Sequence, residues 1–268
     1  MTVESFGIGT FSSTGQFKAE GNIMSLLYGD NFIGQKSLEG KNYTFCSLFS
    51  ICSGLTDASH LSLPATTLAT YCYAYMFKDC TSLTSAPELP AINLASHCYR
   101  EMFYGCTSLT SAPELPATTL DTYCYGNMFQ NCTSLTSAPE LPATTLAENC
   151  YRNMFNGCSS LTSAPELPAT YLRSYCYGDM FKYCTSLTSA PELPAINLAS
   201  HCYREMFRGC TSLNYIKALF TRTPSTSYTF YWVYGVASTG TFVKSTNATW
   251  DVSGVNGVPN GWTIVHED

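Results

Sequence analysis

The sequence predicts an α/β fold: a curved solenoid, a horseshoe, of about seven 26-residue coils, each one strand and one helix. Three observations predict it. The ten residues SLTSAPELPA occur five times unchanged, beginning at Ser82, Ser108, Ser134, Ser160 and Ser186. Twelve of the 14 cysteines form two columns that step by 26 residues: Cys72, Cys98, Cys124, Cys150, Cys176 and Cys202, then Cys80, Cys106, Cys132, Cys158, Cys184 and Cys210. The dipeptide Met-Phe keeps the same step and carries Phe77, Phe103, Phe129, Phe155, Phe181 and Phe207. A fixed period of this size marks stacked units that bury their apolar faces only against one another.

Within one unit, SLTSAPELP reads as a short extended segment ending at a proline. The proline at Pro87 and its equivalents removes one ladder donor per coil, so these strands should be short and irregular. Thr66 to Cys80 carries apolar residues at Leu68, Cys72, Tyr73, Met76, Phe77 and Cys80, a helical spacing, with Thr66 or Thr67 as N-cap. On a helical wheel the repeated positions fill one half, and the changing positions (70, 71, 74, 75, 78 and 79) fill the solvent half. Strands stack about 4.8 Å apart and helices about 8–10 Å, so stacking both should curve the chain with strands inside.

The stretch MFYGCTSLTSAPELP (102–116) resembles the BspA-like leucine-rich repeat, whose units read roughly MFxGCxSLTSxxLP. The resemblance covers about residues 41–219. An earlier, degenerate unit carries Leu48-Phe49, and its linker runs two residues longer. The tail GVASTGTFVKSTNATWDVSGVNGVPNGWTIV is similar to the ending of gut members. Proteins of this family occur on the surface of gut and oral bacteria and in phage-borne genes. The resemblance therefore implies binding or adhesion, at the cell surface or on a virion, and supplies no catalytic residues. The Pro-Glu pair inside the strand departs from the commoner pattern.

The units that end the stack need polar closures. Residues 1–40, rich in glycine turns and short apolar stretches, read as a β-rich N-terminal cap, 41–219 as the solenoid, and 220–268 as a β-rich C-terminal cap. That last part alternates like strand and holds Trp232, Trp250 and Trp262.

Composition excludes several functions. Charged residues are 12% against 45% apolar, the net charge is −6 and no basic run is present, so nothing supports nucleic-acid binding. No run approaches the ~20 apolar residues of a membrane span. The start MTVESFGIGTF has no basic or apolar leader pattern. GIGTFSSTG offers Gly7 and Gly9 without the third glycine of a dinucleotide loop. His97 and His201 share a column but lie four coils apart, and no nucleophile–base set or metal-ligand spacing assembles. The expectation is a non-enzymatic chain without a cofactor.

The cysteine columns read as buried thiols behaving as small apolar residues, with no disulfides between them. Cys46 stands outside both columns, and its redox state, like that of Cys52, is left open. Glu88, Glu114, Glu140, Glu166 and Glu192 form a further column. Alternation from inward-facing leucines puts them outside, with neighbouring carboxylates about 5 Å apart, a repulsion of roughly 0.8 kcal/mol per pair in water. That face reads either as a solvated ladder or as a weak calcium or ligand surface. The changing face nominates Arg100, Glu101, Arg152, Asn153, Arg204 and Glu205. AINLASHCYREMF occurs at 91–103 and again at 195–207, as if whole units had been shuffled. Two functions follow: a module that binds a protein or glycan receptor, or a spacer or assembly subunit joined through its caps. The identical strand segments fit either a packing constraint or a repeated ligand.

Overall fold

A computed structural model describes residues 9–13 and 15–267. The first eight residues, and with them Gly7 and part of the expected N-terminal cap, lie outside the described residues.

Two prolines in every SAPELPA segment reduce the extended strand to a point contact. Parallel bridges join Ser111 to Ser137, Ser137 to Ser163 and Ser189 to Tyr215, one residue per coil. A second column of single bridges lies beyond the last proline: Ser37, Thr67, Asn93, Thr119, Thr145, Tyr171 and Asn197. These bridges hold successive units in parallel at a 26-residue step through most of the chain. The short, irregular strands expected from the prolines are found.

The expected helix is not. Residues 69–80 and their equivalents form a run of overlapping turns. The N–H of Cys72, Ala74, Met76, Lys78 and Cys80 each donates three residues back, to Ala69, Tyr71, Tyr73, Tyr75 and Phe77. The N–H groups between them leave the coil. Tyr71, Tyr73, Tyr75, Phe77 and Asp79 donate to the carbonyls of Ser96, Cys98, Arg100, Met102 and Tyr104 in the next unit, at 2.7–3.2 Å. Every fourth residue has positive φ: Tyr71 at 56°, Tyr75 at 59°, Asp79 at 58°. This is the sign required at the third residue of a type II turn and forbidden to a right-handed helix.

The physical reason is spacing. A helix needs about 8–10 Å from its neighbour, while the bridge columns hold the units at strand distance, about 4.8 Å. The phenylalanine rings of adjacent coils lie 5.4–5.8 Å apart from Phe77 to Phe207, which leaves no room for helices. Turn ladders fit because half of their donors bond to the next coil. The α/β assignment is thus corrected: the repeats hold no helix, and single helical turns occur at Ser25–Tyr28 (α1) and Thr226–Thr229 (α2). With no wide helices on one side of the stack, the difference in spacing that was expected to curve the chain is absent from the repeats.

Two stacked aromatic columns form the core. Phe45 leads into Tyr73, Tyr99, Tyr125, Tyr151, Tyr177 and Tyr203, and Phe49 into Phe77 and on to Phe207. Both end on Trp232, 6.2 Å from Tyr203 and 6.2 Å from Phe207. Methionines and leucines fill the gaps, and these side chains are almost wholly buried.

Parallel pairing continues into both ends. Strand β1 (Phe17–Lys18) pairs with β3 (Leu55–Asp57), and β2 (Gly21–Asn22) with β4 (Leu61–Ser62). At the other end β5 (Tyr215–Ala218), β6 (Thr241–Ser245) and β7 (Thr263–Glu267) form one parallel sheet in that order. Asp57 bridges Ser85, and Ser189 bridges Tyr215. The strand column of the repeats therefore begins at β1 and ends at β7.

Candidate binding surface

On the repeated strand segment the leucines turn inward and the glutamates outward. Leu83 and Leu89 are buried, Thr84 and Glu88 exposed, and Ala86 half-buried. The other four copies place Glu114, Glu140, Glu166 and Glu192 in solvent as well. Of these five, only Glu192 has an ion-pair partner among the described residues, Lys217 Nζ at 3.3 Å. The exposed threonines are used locally: Thr136 Oγ1 donates to the Thr110 carbonyl and Thr162 Oγ1 to the Thr136 carbonyl. The second proline of the segment is exposed in Pro90, Pro116, Pro142 and Pro168.

Shallow grooves run between neighbouring copies. One of about 380 Å³ lies between Glu114 and Glu140, walled by Pro116, Pro139 and Pro142. Another, of about 410 Å³, lies between Glu166 and Glu192. Among the described residues no group of three or more His, Cys, Asp or Glu side chains is arranged to hold a metal ion.

The changing face is less free than its sequence suggests. Its candidate carboxylates point into the joints between coils. Glu101 is buried and pairs with Lys78 of the preceding unit at 2.8 Å. Glu205 is buried and pairs with Lys182 at 2.7 Å, Arg208 at 2.8 Å and Arg204 at 3.4 Å. The solvent-facing placement expected for Glu101 and Glu205 is therefore corrected. Arg100 lies 5.4 Å from the Tyr123 ring and Arg152 4.8 Å from the Tyr175 ring, within cation–π range. Arg204 covers Phe230 at 5.2 Å. Arg100, Arg152 and Arg204 alternate with Ala74, Gly126 and Gly178, so each long side chain lies beside a small one. Asn153, with φ 55°, accepts a hydrogen bond from Asn156 Nδ2 through its side chain.

An outer stack was not anticipated. Tyr43, Tyr71, His97 and Tyr123 lie face to face at 4.4–5.1 Å, and Tyr175 with His201 at 4.6 Å. Its signal was present: aromatic residues or histidine recur one place before the first cysteine of most units. The partners of Glu101 and Glu205 also went unnoticed, although both copies of Arg-Glu-Met-Phe follow a unit containing Met-Phe-Lys.

The thiols are structural. All 14 cysteines are free, and the 12 column members are buried. In the second column Sγ donates to a carbonyl of the preceding coil, Cys106 to Phe77 at 3.1 Å and Cys210 to Phe181 at 2.9 Å. Burial pushes the Cys158 and Cys210 thiols up to about 12. No thiolate is available there for nucleophilic work. Cys46 is half-buried and is also raised by burial.

Residues 46–188 and 96–236 match the model of the BspA type leucine rich repeat region, in six copies. The chain belongs to this family. No curated protein and no solved structure matches it. Repeats of this family are generally non-enzymatic scaffolds for protein interaction, and its members are typically exposed at the surface. No helix among the described residues is long and apolar enough to cross a membrane.

Proposed function

We propose that this chain is a binding module at a cell surface or on a virion, engaging a protein or glycan receptor through the Glu-Pro face of a solenoid. One observation carries the reading. Glu88, Glu114, Glu140 and Glu166 are exposed and, among the described residues, have no ion-pair partner, yet they stand unchanged while the residues of the changing face differ from copy to copy. Packing accounts for the leucines beside them and inter-coil hydrogen bonds for the threonines; neither reaches the carboxylates. A row of like charges one coil apart costs stability in water. It would instead serve cationic or hydroxyl-rich partner groups, with the exposed prolines as rigid apolar walls. Residues 1–40 and 220–268 act as caps in this reading.

Glycan-array and cell-binding measurements on the folded chain, beside a variant with all five glutamates changed to Gln, test it. Binding that is lost in the variant supports the Glu-Pro face. Binding that survives moves the site elsewhere, and no binding by either protein removes the receptor reading. A melt with millimolar calcium separates cation-assisted from direct recognition, since a ligand of the folded state raises the melting temperature by mass action.

A second reading is a spacer or assembly subunit. The unbroken aromatic columns from Phe45 and Phe49 to Trp232 support it, because such a core favours rigidity.

A further inference from the structure

Among the described residues, the strand column that begins at β1 and ends at β7 leaves an open parallel edge at each end of the stack. At the C-terminal end, all five residues of β7 are exposed, including Ile264 and Val265. Its inner edge is taken by β6, and among the described residues no strand pairs with its outer edge. At the N-terminal end, Phe17, Ala19, Gly21 and Ile23 donate their N–H groups inward, to Gly54, Asp57, His60 and Ser62. The alternate residues Lys18, Glu20 and Asn22 direct theirs the other way, as the period of two demands. Beside that edge lies an apolar groove of about 400 Å³, lined by Phe11, Phe17, Ile23, Leu26 and Phe49. An unpaired strand edge flanked by exposed apolar side chains is a template for another strand.

We propose that a second copy of this chain occupies these edges head to tail, with β1 of one copy laid on β7 of another so that the parallel ladder continues across the junction. The register follows from the column. Lys18 pairs with Asp57, Asp57 bridges Ser85, Ser189 bridges Tyr215, and Tyr215 pairs with Thr241, which pairs with Thr263. Lys18 of the arriving copy therefore faces Thr263, Glu20 faces Val265 and Asn22 faces Glu267. No like charges meet in this register, and Ile264, on the same face as Ala19, comes to lie beside the apolar groove. Because the two edges are different surfaces, the contact is heterologous and does not close at two copies. The inference stands apart from the receptor reading, which concerns the side of the stack and not its ends.

Sedimentation over a range of concentrations, together with disulfide trapping, tests it. The wild-type chain is expected to grow beyond a dimer in steps of 29.4 kDa. Ile264→Lys with Val265→Lys should remain monomeric at the same concentrations while melting at the wild-type temperature. In a double variant, Lys18→Cys with Thr263→Cys, facing Cα atoms would lie within disulfide range. Mild oxidation should then yield a ladder of covalent multimers absent from the wild type. A monomer at every concentration without trapped multimers overturns the proposal. So does assembly that stops at a dimer while Thr263→Cys alone cross-links to itself, the signature of antiparallel β7 pairing.

Discussion

Glu205 Oε2 accepts a hydrogen bond from Lys182 Nζ of the preceding coil, at 2.7 Å and across 23 residues of sequence. Lys78 and Glu101 repeat this relationship at 2.8 Å. The 13-residue segment that occurs twice thus sits both times above a unit whose Met-Phe is followed by lysine. Burial raises the Glu205 carboxyl, but hydrogen bonds from Lys182 and Arg208 outweigh it and hold the group below its ordinary value. Its stabilising contribution is therefore present above the usual carboxylate range and lost as pH falls through the folded value. Glu205→Ala leaves three cations around an empty site and should cost about 3 kcal/mol. Glu148→Ala, at an exposed position, should cost under about 0.5 kcal/mol. Chemical denaturation of both variants at neutral pH checks the difference. Equal midpoints would mean that the ion pairs add nothing.

The buried thiols make a prediction at the other end of the pH scale. Burial holds Cys158 and Cys202 near 12 and pushes Cys98, Cys106 and Cys132 well above their ordinary value. An unfolded thiol ionises near pH 8.5. Above that, the unfolded chain binds fewer protons than the folded one, so stability falls as pH rises and is fully present only below about pH 8.5. Each thiol that stays protonated when folded contributes about 1.4 kcal/mol per pH unit to that slope. Melting should collapse between about pH 9 and 10.5, and alkylation of the native chain at pH 8 should spare the 12 column cysteines. A melting temperature flat to pH 11, or rapid alkylation of Cys106, would contradict this.

The features legible in the sequence were those that the period alone determines. Phe77 and its equivalents had to stack because an apolar residue recurring every 26 positions in a coil meets only its own copies. Glu88 had to face outward once Leu83 and Leu89 faced inward. The turn ladder escaped because residues 72, 76 and 80, with 73 and 77, repeat every four, a spacing that a helix and a chain of turns share. The residues before the second cysteine tell them apart: five of the six, Asp79, Gly105, Asn131, Gly157 and Gly209, are types that tolerate positive φ, with Tyr183 the exception, and they recur where a helix gains nothing from them. The pairing of Lys182 with Glu205 was hidden for another reason. It depends on which side chains the inter-coil register brings together, and no spacing within a single unit contains that information.

The same column yields a coupled prediction. Gly157 has φ 79°, and a Cβ added there would overlap the side chain of Asn131 from the coil before. Asp79 stands in the same relation to Gly105, and Tyr183 to Gly209. Gly157→Ala should cost about 1–3 kcal/mol from backbone strain plus the clash. Asn131→Gly removes the clash and leaves the strain, so the double variant should be more stable than the two single costs sum to, by about 0.5 kcal/mol or more. A double-mutant cycle by denaturant unfolding measures it. Strict additivity would show that Asn131 swings aside freely.

Trp232 decides whether the C-terminal segment closes the stack or merely follows it. Its ring covers the ends of both aromatic columns, at Tyr203 and Phe207, and touches Phe220 at 5.9 Å and Phe242 at 6.0 Å. Its Nε1 donates to the Gly257 carbonyl at 3.0 Å, tying the column to the loop before β7. Trp232→Ala opens a cavity and leaves that carbonyl without this donor, a cost of about 3–5 kcal/mol. Trp232→Phe restores much of the ring contact but not the hydrogen bond, and should cost about half as much. In a stack where each unit is stabilised by its neighbours, loss at the end propagates inward. The Ala variant should therefore lower the single main transition by roughly 10 °C, at about 2–4 °C per kcal/mol for a chain of this size. Differential scanning calorimetry reads the result. If the main transition keeps its temperature and a small early one appears, residues 220–267 unfold separately and the repeats are stable without them.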